Sequence, residues 1–367
     1  MTVRLSGSLP DFPWDTLAAA KAKASAHPDG IVDLSVGTPV DPTPALARAA
    51  LNAAADAPGY PLTWGTPALR EAIIAYLRDR WEAAPLIDAN VLPVIGTKEL
   101  VAWLPTLLGL GSDDLVVLPR TAYPTYLVGA RLTGARVLFA DDPAELAGQR
   151  PALIWINSPA NPHGAILSRD ATRAWIDFAR DRGGLLASDE CYGEFGWDAQ
   201  PCSVLDRDLN SGQTDGLLAV HSLSKRSNLA GYRAGFVAGD PFVVGELLAI
   251  RKHAGMMVPL PIQAAMAAAL GDQGHVELQR GRYLRRRDVL GAALTGAGFR
   301  IEHSQGSLYL WCTRDEDGRA SVDFLARLGI LVAPGDFYGA DASRHVRVAL
   351  TATDERVRAA AERLAGC

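Results

Sequence analysis

At 367 residues the chain is long enough for two to three units of the roughly 150 residues typical of a domain. Its 49% hydrophobic and 21% charged residues exclude a disordered chain, because enough apolar surface is available to offset the entropy of ordering. With 36 Lys and Arg against 41 Asp and Glu the formal charge is -5, which argues against a nucleic-acid or anionic-membrane surface and leaves a small molecule as the expected partner.

The first stretch, Phe12 to His27, reads as a short Ala-rich helix and leads into a Gly/Pro loop, Gly37-Thr38-Pro39-Val40-Asp41-Pro42. From there short apolar runs bounded by turn residues alternate with helical stretches. The runs are Val91–Ile95, Leu115–Leu118, Arg136–Phe139, Leu153–Ile156, Leu185–Ala187, Leu217–Val220 and Gly235–Ala238. This alternation predicts βαβ units and an α/β fold, with a mostly parallel sheet flanked by helices on both faces. From about Ala254 the pattern changes to long helical stretches, including the Arg-rich Gln279–Leu294, and then to strand-like Ser307–Cys312, Leu331–Ala333 and Val346–Ala349. The expected organisation is an N-terminal arm over 1–40 packing with the small domain, a large α/β domain over 41–253 and a small α+β domain over 254–367.

The longest uncharged run, Ala254 to Gly271, spans 18 residues and carries Pro259, Pro261 and Gln263. It falls short of the roughly 20 predominantly apolar residues of a membrane-spanning helix. Met1 to Pro10 lacks the basic start and apolar stretch of a signal peptide, and Cys191, Cys202, Cys312 and Cys367 show no CxxC spacing. A reducing, cytoplasmic compartment is the expectation, with no metal site.

In open α/β sheets ligands bind beyond the carboxyl ends of the strands, and four of these ends are polar. Val91–Ile95 is followed by Gly96-Thr97-Lys98, a small-residue turn opening a helix whose free N–H groups and dipole suit a phosphate. Alone, this is as often a plain turn. Leu153–Ile156 is followed by Asn157-Ser158-Pro159-Ala160-Asn161-Pro162-His163-Gly164, which alone is more often a structural loop. Leu185–Ala187 leads to Ser188-Asp189-Glu190-Cys191-Tyr192, where Asp189 alone could be a helix cap. Leu217–Val220 leads to His221-Ser222-Leu223-Ser224-Lys225, with Gly231-Tyr232-Arg233 eight residues on. Five of the 36 cations are Lys (Lys21, Lys23, Lys98, Lys225, Lys252), leaving 31 Arg. Where Arg is the habitual cation, a Lys marks an amine that can lose its proton. Together these groups meet the needs of pyridoxal 5'-phosphate, which takes a Lys for a Schiff base, an acid against its ring nitrogen and a phosphate clamp.

The motifs resemble fold-type I, aspartate-aminotransferase-like enzymes of class I and II across essentially the whole chain. Asp33-Leu34-Ser35-Val36-Gly37-Thr38-Pro39, Val94-Ile95-Gly96-Thr97-Lys98-Glu99-Leu100 and Ala333-Pro334-Gly335-Asp336-Phe337-Tyr338-Gly339 are similar in particular to the N-succinyldiaminopimelate aminotransferases of actinobacteria. The resemblance implies that Lys225 is the Schiff-base lysine and proton shuttle and that Asp189 is the partner of the pyridine nitrogen. A carboxylate there keeps the ring nitrogen protonated, so that the ring can accept electrons released at the substrate Cα. It further implies that Asn161 and Tyr192 bond the cofactor's phenolic oxygen and that Tyr123 stacks on the ring. Thr97, Ser222 and Arg233, with backbone N–H groups near Gly96 and Lys98, would clamp the phosphate, with Ser224 as a further candidate.

By the same resemblance Tyr60, five residues before Gly65, reaches the phosphate from the other subunit, which implies an obligate homodimer. Arg347 forks onto the substrate α-carboxylate, a bidentate task unsuited to Lys, and the Gly37 N–H assists. Phe12-Pro13-Trp14 folds over the entrance, and Met256 and Met257 lie near the dimer-related site, where polarizable side chains suit a long aliphatic substrate. Two positions depart from the family pattern: His163 stands where a Thr is usual, and Arg226 adds a cation directly after Lys225.

The function implied is a pyridoxal-phosphate aminotransferase working by two half-reactions, with glutamate as expected donor and 2-oxoglutarate as product. The specific pair would be N-succinyl-2-amino-6-oxopimelate and N-succinyl-LL-2,6-diaminopimelate, in lysine and cell-wall precursor synthesis. The alternatives are an aminotransferase for aspartate, alanine or aromatic amino acids, and a C–S lyase releasing pyruvate and ammonia. Ser222-Leu223-Ser224-Lys225 also fits the S-x-x-K of penicillin-binding serine hydrolases, but their S-D-N and K-T-G are absent from the sequence.

Overall fold

The computed structural model describes residue 9 and residues 12–366. Most of the Met1–Pro10 stretch and Cys367 therefore lie outside the described residues. The chain begins with α1 (Ala18–Ser25), β1 (Val32–Asp33), α2 (Ala45–Ala53) and α3 (Pro67–Trp81). It continues with β2 (Val91–Ile95), α4 (Thr97–Leu107), β3 (Leu115–Leu118), α5 (Thr125–Thr133), β4 (Arg136–Phe139) and β5 (Leu153–Asn157). Next come α6 (Arg169–Arg182), β6 (Leu185–Asp189), β7 (Leu217–Ser222), α7 (Leu223–Arg226), β8 (Ala234–Gly239), α8 (Pro241–Ala254) and α9 (Leu260–Leu270). The chain closes with α10 (Gly274–Gly296), β9 (Arg300–Glu302), β10 (Tyr309–Thr313), α11 (Gly318–Arg327), β11 (Ile330–Leu331), β12 (Ala333–Pro334), β13 (His345–Ala349) and α12 (Asp354–Ala365).

The seven apolar runs form one sheet in the order β2-β8-β7-β6-β5-β3-β4. Only β8 runs against its neighbours, so the sheet is mostly parallel. Its central strands are buried along their length, as expected of Leu-, Val- and Ile-rich strands covered on both faces, whereas the edge strand β4 is largely exposed. Helix boundaries follow local chemistry. Thr66 caps α3 by accepting from the Leu69 N–H at 3.2 Å, and Ser168 caps α6 through the Ala171 N–H at 3.1 Å. Gly183 ends α6 at φ 67°, a left-handed conformation that glycine adopts without strain.

The second, antiparallel sheet has the order β12-β13-β10-β9. Within the stretch 1–40, β1 pairs in parallel with β11 as a separate two-stranded sheet, and the Ala349 N–H of β13 donates to the Leu34 carbonyl at 2.9 Å. The strand expected over Leu331–Ala333 is in fact two, β11 against β1 and β12 against β13. Ala265, Met266, Ala269 and Leu270 of α9 lie in the same apolar cluster as Leu69 and Ile73 of α3, beneath the large sheet. The small side chains of α9 let it lie close on α2 and α3. No helix among the described residues is long and apolar enough to cross a membrane.

Candidate active site

β5, β6 and β7 end on Asn157, Asp189 and Ser222, and their carboxyl ends open onto a cavity of about 830 Å³. Thirteen of the sequence-derived site residues can be placed against it. Gly37, Thr97, Lys98, Tyr123, Asn161 and Asp189 line it. So do Tyr192, Ser222, Ser224, Lys225, Arg233 and Arg347. Gly96 stands just behind, as the residue preceding α4. Phe12 and Trp14 line the same space, in keeping with a segment lying over the entrance. Tyr60, expected to serve the other subunit, does not line this chain's own cavity and is 95% exposed. Met256 is half-buried against the large-sheet core and, like Met257, does not line the cavity.

Lys225 stands on α7, a single turn directly after β7, which aims its amine back over the sheet edge. Its Nζ donates to the Gly37 carbonyl. Burial lowers the amine's pKa, and the nearby guanidinium groups of Arg347 and Arg233 push the same way. Asp189 is buried, and burial raises its carboxyl, while hydrogen bonds from Cys191 and Tyr126 oppose the rise. The Cys191 N–H donates to Oδ1 at 3.1 Å and the Tyr126 hydroxyl donates to Oδ2 at 2.7 Å. Tyr126 is held in turn by stacking on Trp155, ring centroids 5.0 Å apart, and stands edge-on to Tyr123 at 6.0 Å.

Arg347 is buried on β13. Its Nη1 donates to Asn161 Oδ1 at 2.8 Å and its Nη2 to the Ser35 carbonyl at 2.7 Å. Its Nε has no partner among the described residues. The guanidinium lies 4.0 Å from the Tyr309 ring centroid, and the Tyr309 and Tyr192 hydroxyls are 2.9 Å apart. Despite burial, Arg347 and Lys225 bring the Tyr309 phenol below its ordinary range. Asn161 is placed by Asn157, whose Oδ1 accepts from the Asn161 N–H at 2.7 Å and whose Nδ2 donates to the Asp189 carbonyl at 2.8 Å.

On the other side, Gly96 sits at φ 72° and a side chain there would collide with the Arg233 guanidinium. This glycine lets Arg233 close over the N-terminus of α4, where Thr97, Ser222 and Ser224 supply hydroxyls. Lys98 stands beside them, its amine lowered by burial and by Arg233. Ser222 Oγ also accepts from the Ser224 N–H at 3.1 Å.

The two departures are resolved by direction. Arg226 turns away from the cavity: Nε meets Glu194 Oε1 at 3.2 Å and Nη1 donates to the Ala269 carbonyl at 2.7 Å. Its charge is thus balanced by Glu194 on the far side. His163 also faces elsewhere, into a separate cavity. Tyr126, Tyr309 and the backbone of Cys191 are site groups that the sequence reading did not single out.

This donor set suits pyridoxal 5'-phosphate. A buried amine, a buried carboxylate held by two donors, and an anion seat shaped by a glycine under an Arg face one cavity, which is the chemistry the cofactor requires.

Comparison with known proteins agrees. Residues 29–364 match the family described as aminotransferase class I and II. The chain is 62% identical over 360 residues to the protein called probable aminotransferase Rv1178 of Mycobacterium tuberculosis, covering 98% of this chain and 86% of that one. It is 58% identical over 356 residues to the 4-dedimethylamino-4-oxo-anhydrotetracycline transaminase OxyQ of Streptomyces rimosus, covering 97% and 99%. An LL-diaminopimelate aminotransferase of Dehalococcoides mccartyi is 30% identical over 383 residues, covering 98% and 96%. A solved aminotransferase from Neisseria meningitidis matches with a TM-score of 0.88 at 31% identity, over 99% of this chain and 98% of that one. The chain belongs to the class I and II aminotransferases, enzymes of amino and oxo acids whose cofactor is pyridoxal 5'-phosphate.

Proposed function

We propose that this aminotransferase moves the amino group between N-succinyl-LL-2,6-diaminopimelate and 2-oxoglutarate, as a cytoplasmic homodimer. The observation that carries the catalytic reading is the convergence of the Lys225 amine, the Asp189 carboxylate and the Arg347 guanidinium on one cavity. When bound, pyridoxal 5'-phosphate supplies a reactive carbonyl and a protonated ring that takes up the electrons released at the substrate Cα. Asp189 holds the proton on the ring nitrogen, and Tyr126 and the Cys191 N–H keep Asp189 ionised for that task. Lys225 Nζ takes the proton from Cα, and its burial favours the neutral amine that can do so. Arg347 binds the α-carboxylate, with Gly37 beside it, and Asn161 and Tyr192 bind the cofactor's phenolic oxygen.

Tyr123 packs on the ring, and Thr97, Ser222, Ser224 and Arg233, with the N–H groups of Gly96 and Lys98, hold the phosphate. A tyrosine as exposed as Tyr60 supports the dimer, because a ring left in water on one subunit is available to the other. The substrate reading is supported by relatives named for LL-diaminopimelate, which has the same carbon backbone without the succinyl group.

A panel of amino donors and oxo acids tests this reading. The succinylated substrate should show a kcat/KM at least about tenfold above aspartate or alanine, a difference of about 1.4 kcal/mol. Equal efficiency with the small amino acids would refute the substrate and leave the family untouched. Pyruvate and ammonia released without an oxo-acid acceptor would instead indicate the C–S lyase. The similarity to OxyQ over 97% of the chain favours one second reading, a ketone carried on a fused-ring acceptor. The 4-oxo-anhydrotetracycline belongs in the same panel.

A further inference from the structure

Tyr309 stands on β10 and lines the cavity of Lys225, yet the reading above gives it no task. Its ring is fixed from three sides. The Arg347 guanidinium lies 4.0 Å from the ring centroid, and the Tyr192 ring meets it edge-on with centroids 5.6 Å apart. The Gly37 backbone packs so closely on the Tyr309 hydroxyl that a methyl group there would collide with it. The hydroxyl is thus held 2.9 Å from the Tyr192 hydroxyl, and neither has another hydrogen-bond partner among the described residues.

Each phenol owns one proton and can also accept, so the contact can run in either direction. If Tyr192 donates, its proton is spent on Tyr309. If Tyr309 donates, the Tyr192 proton stays free for a third group in the cavity. Despite burial, Arg347 and Lys225 make Tyr309 more acidic than an ordinary phenol, whereas burial makes Tyr192 much less so. The more acidic hydroxyl is the better donor, and cations beside it attract its lone pairs and turn its proton away. The other titratable groups that face the pair are Cys191, Tyr123, Tyr126, Tyr283 and Tyr338. Burial keeps each of these protonated, so the charges the pair meets are those of Arg347 and Lys225.

We propose that Tyr309 is a positioning residue for the transamination: its O–H donates to the Tyr192 oxygen and thereby commits the Tyr192 proton to the phenolic oxygen of bound pyridoxal 5'-phosphate. This rests on the reading that Tyr192 bonds that oxygen. A hydroxyl that accepts one hydrogen bond is polarised into a stronger donor of the next, so Tyr309 strengthens the contact it does not itself make.

The test is a pH titration of the cofactor-loaded enzyme followed by visible absorption, which reads the proton on the nitrogen joining Lys225 to the cofactor. Once that proton leaves, the phenolic oxygen depends on outside donors, so a donor there holds the midpoint down. Tyr192→Phe should raise the midpoint by about one to two pH units, as expected for losing a hydrogen bond to an anion. Tyr309→Phe keeps the ring over Arg347 and should raise the midpoint by at least about 0.2 unit. The double variant should match Tyr192→Phe alone, because Tyr309 acts through Tyr192. Tyr338→Phe is the control: its ring lies 5.1 Å from the same guanidinium, but its hydroxyl has no partner among the described residues and it does not line the cavity. Its midpoint should not move. An unmoved midpoint in Tyr192→Phe would overturn the placement of Tyr192 and the proposal with it. With Tyr192→Phe shifted, a Tyr309→Phe midpoint that is unmoved or lowered, a Tyr309 effect that persists in the double variant, or an equal shift in Tyr338→Phe would overturn the role of Tyr309 alone.

Discussion

Tyr126→Phe removes one oxygen from a buried ring and leaves its stacking on Trp155 in place. That oxygen donates to Asp189 Oδ2 at 2.7 Å, and the other donor to this side chain is the Cys191 N–H at 3.1 Å. Burial already pushes the Asp189 carboxyl upward, so losing Tyr126 moves it further up and weakens its hold on a protonated ring nitrogen. A hydrogen bond to a charged group contributes about 1.5–3 kcal/mol. If that energy is lost from the carboxylate that supports the ring during Cα proton removal, the step slows by about 10- to 150-fold. Stopped-flow absorbance of the half-reaction with glutamate, repeated across pH, reads this directly. The expected result is a slower half-reaction whose acid limb moves to higher pH, because protonated Asp189 is the inactive form. A half-reaction within about twofold of wild type, with an unmoved acid limb, would show that Tyr126 does not support the catalytic carboxylate.

Arg347→Lys keeps the charge but loses the fork, and KM for the amino acid should rise by about 10- to 100-fold in steady-state assays with the fold intact. Gly37→Ala would drive a methyl group into the Tyr309 hydroxyl beside Lys225, whereas a methyl at Gly111 meets nothing within 4 Å. Assays should show a loss of at least about tenfold in kcat/KM for the first variant and none for Gly111→Ala. Glu194 is buried, yet the Arg226 and Arg80 charges outweigh burial and hold its carboxyl below the ordinary range. Its stabilisation is therefore present above the unfolded carboxylate pKa and lost as pH falls through the lowered folded value. Glu194→Gln should cost about 3 kcal/mol in neutral denaturant melts, and the gap to wild type should close in acid.

Much of this architecture is legible in the sequence because the strands are covered on both faces and read as continuous apolar runs. The runs stop early at Asn157, Asp189 and Ser222, since hydrogen bonding carries each strand past the last apolar residue to the polar one that faces the cavity. Tyr126 was not legible as a site residue: in sequence it is one more apolar-pattern position of a helix, and its partner Asp189 is 63 residues away. Tyr309 is hidden in the same way on a strand of the smaller unit. Arg226 shows the opposite limit, because adjacent residues of one helical turn point about 100° apart, and adjacency to Lys225 says nothing of a shared environment. The Ala-rich α9 gives no compositional sign of which core it covers, and only its contacts with α2 and α3 settle that.

Borohydride reduction of the purified, cofactor-loaded protein, followed by peptide mapping, tests most directly whether Lys225 is the lysine that carries the chemistry. The pyridoxyl label should fall on the peptide containing Lys225, and Lys225→Ala should take up no label and show no turnover. A label on Lys98, the other lysine whose amine is lowered within the same cavity, would contradict the assignment.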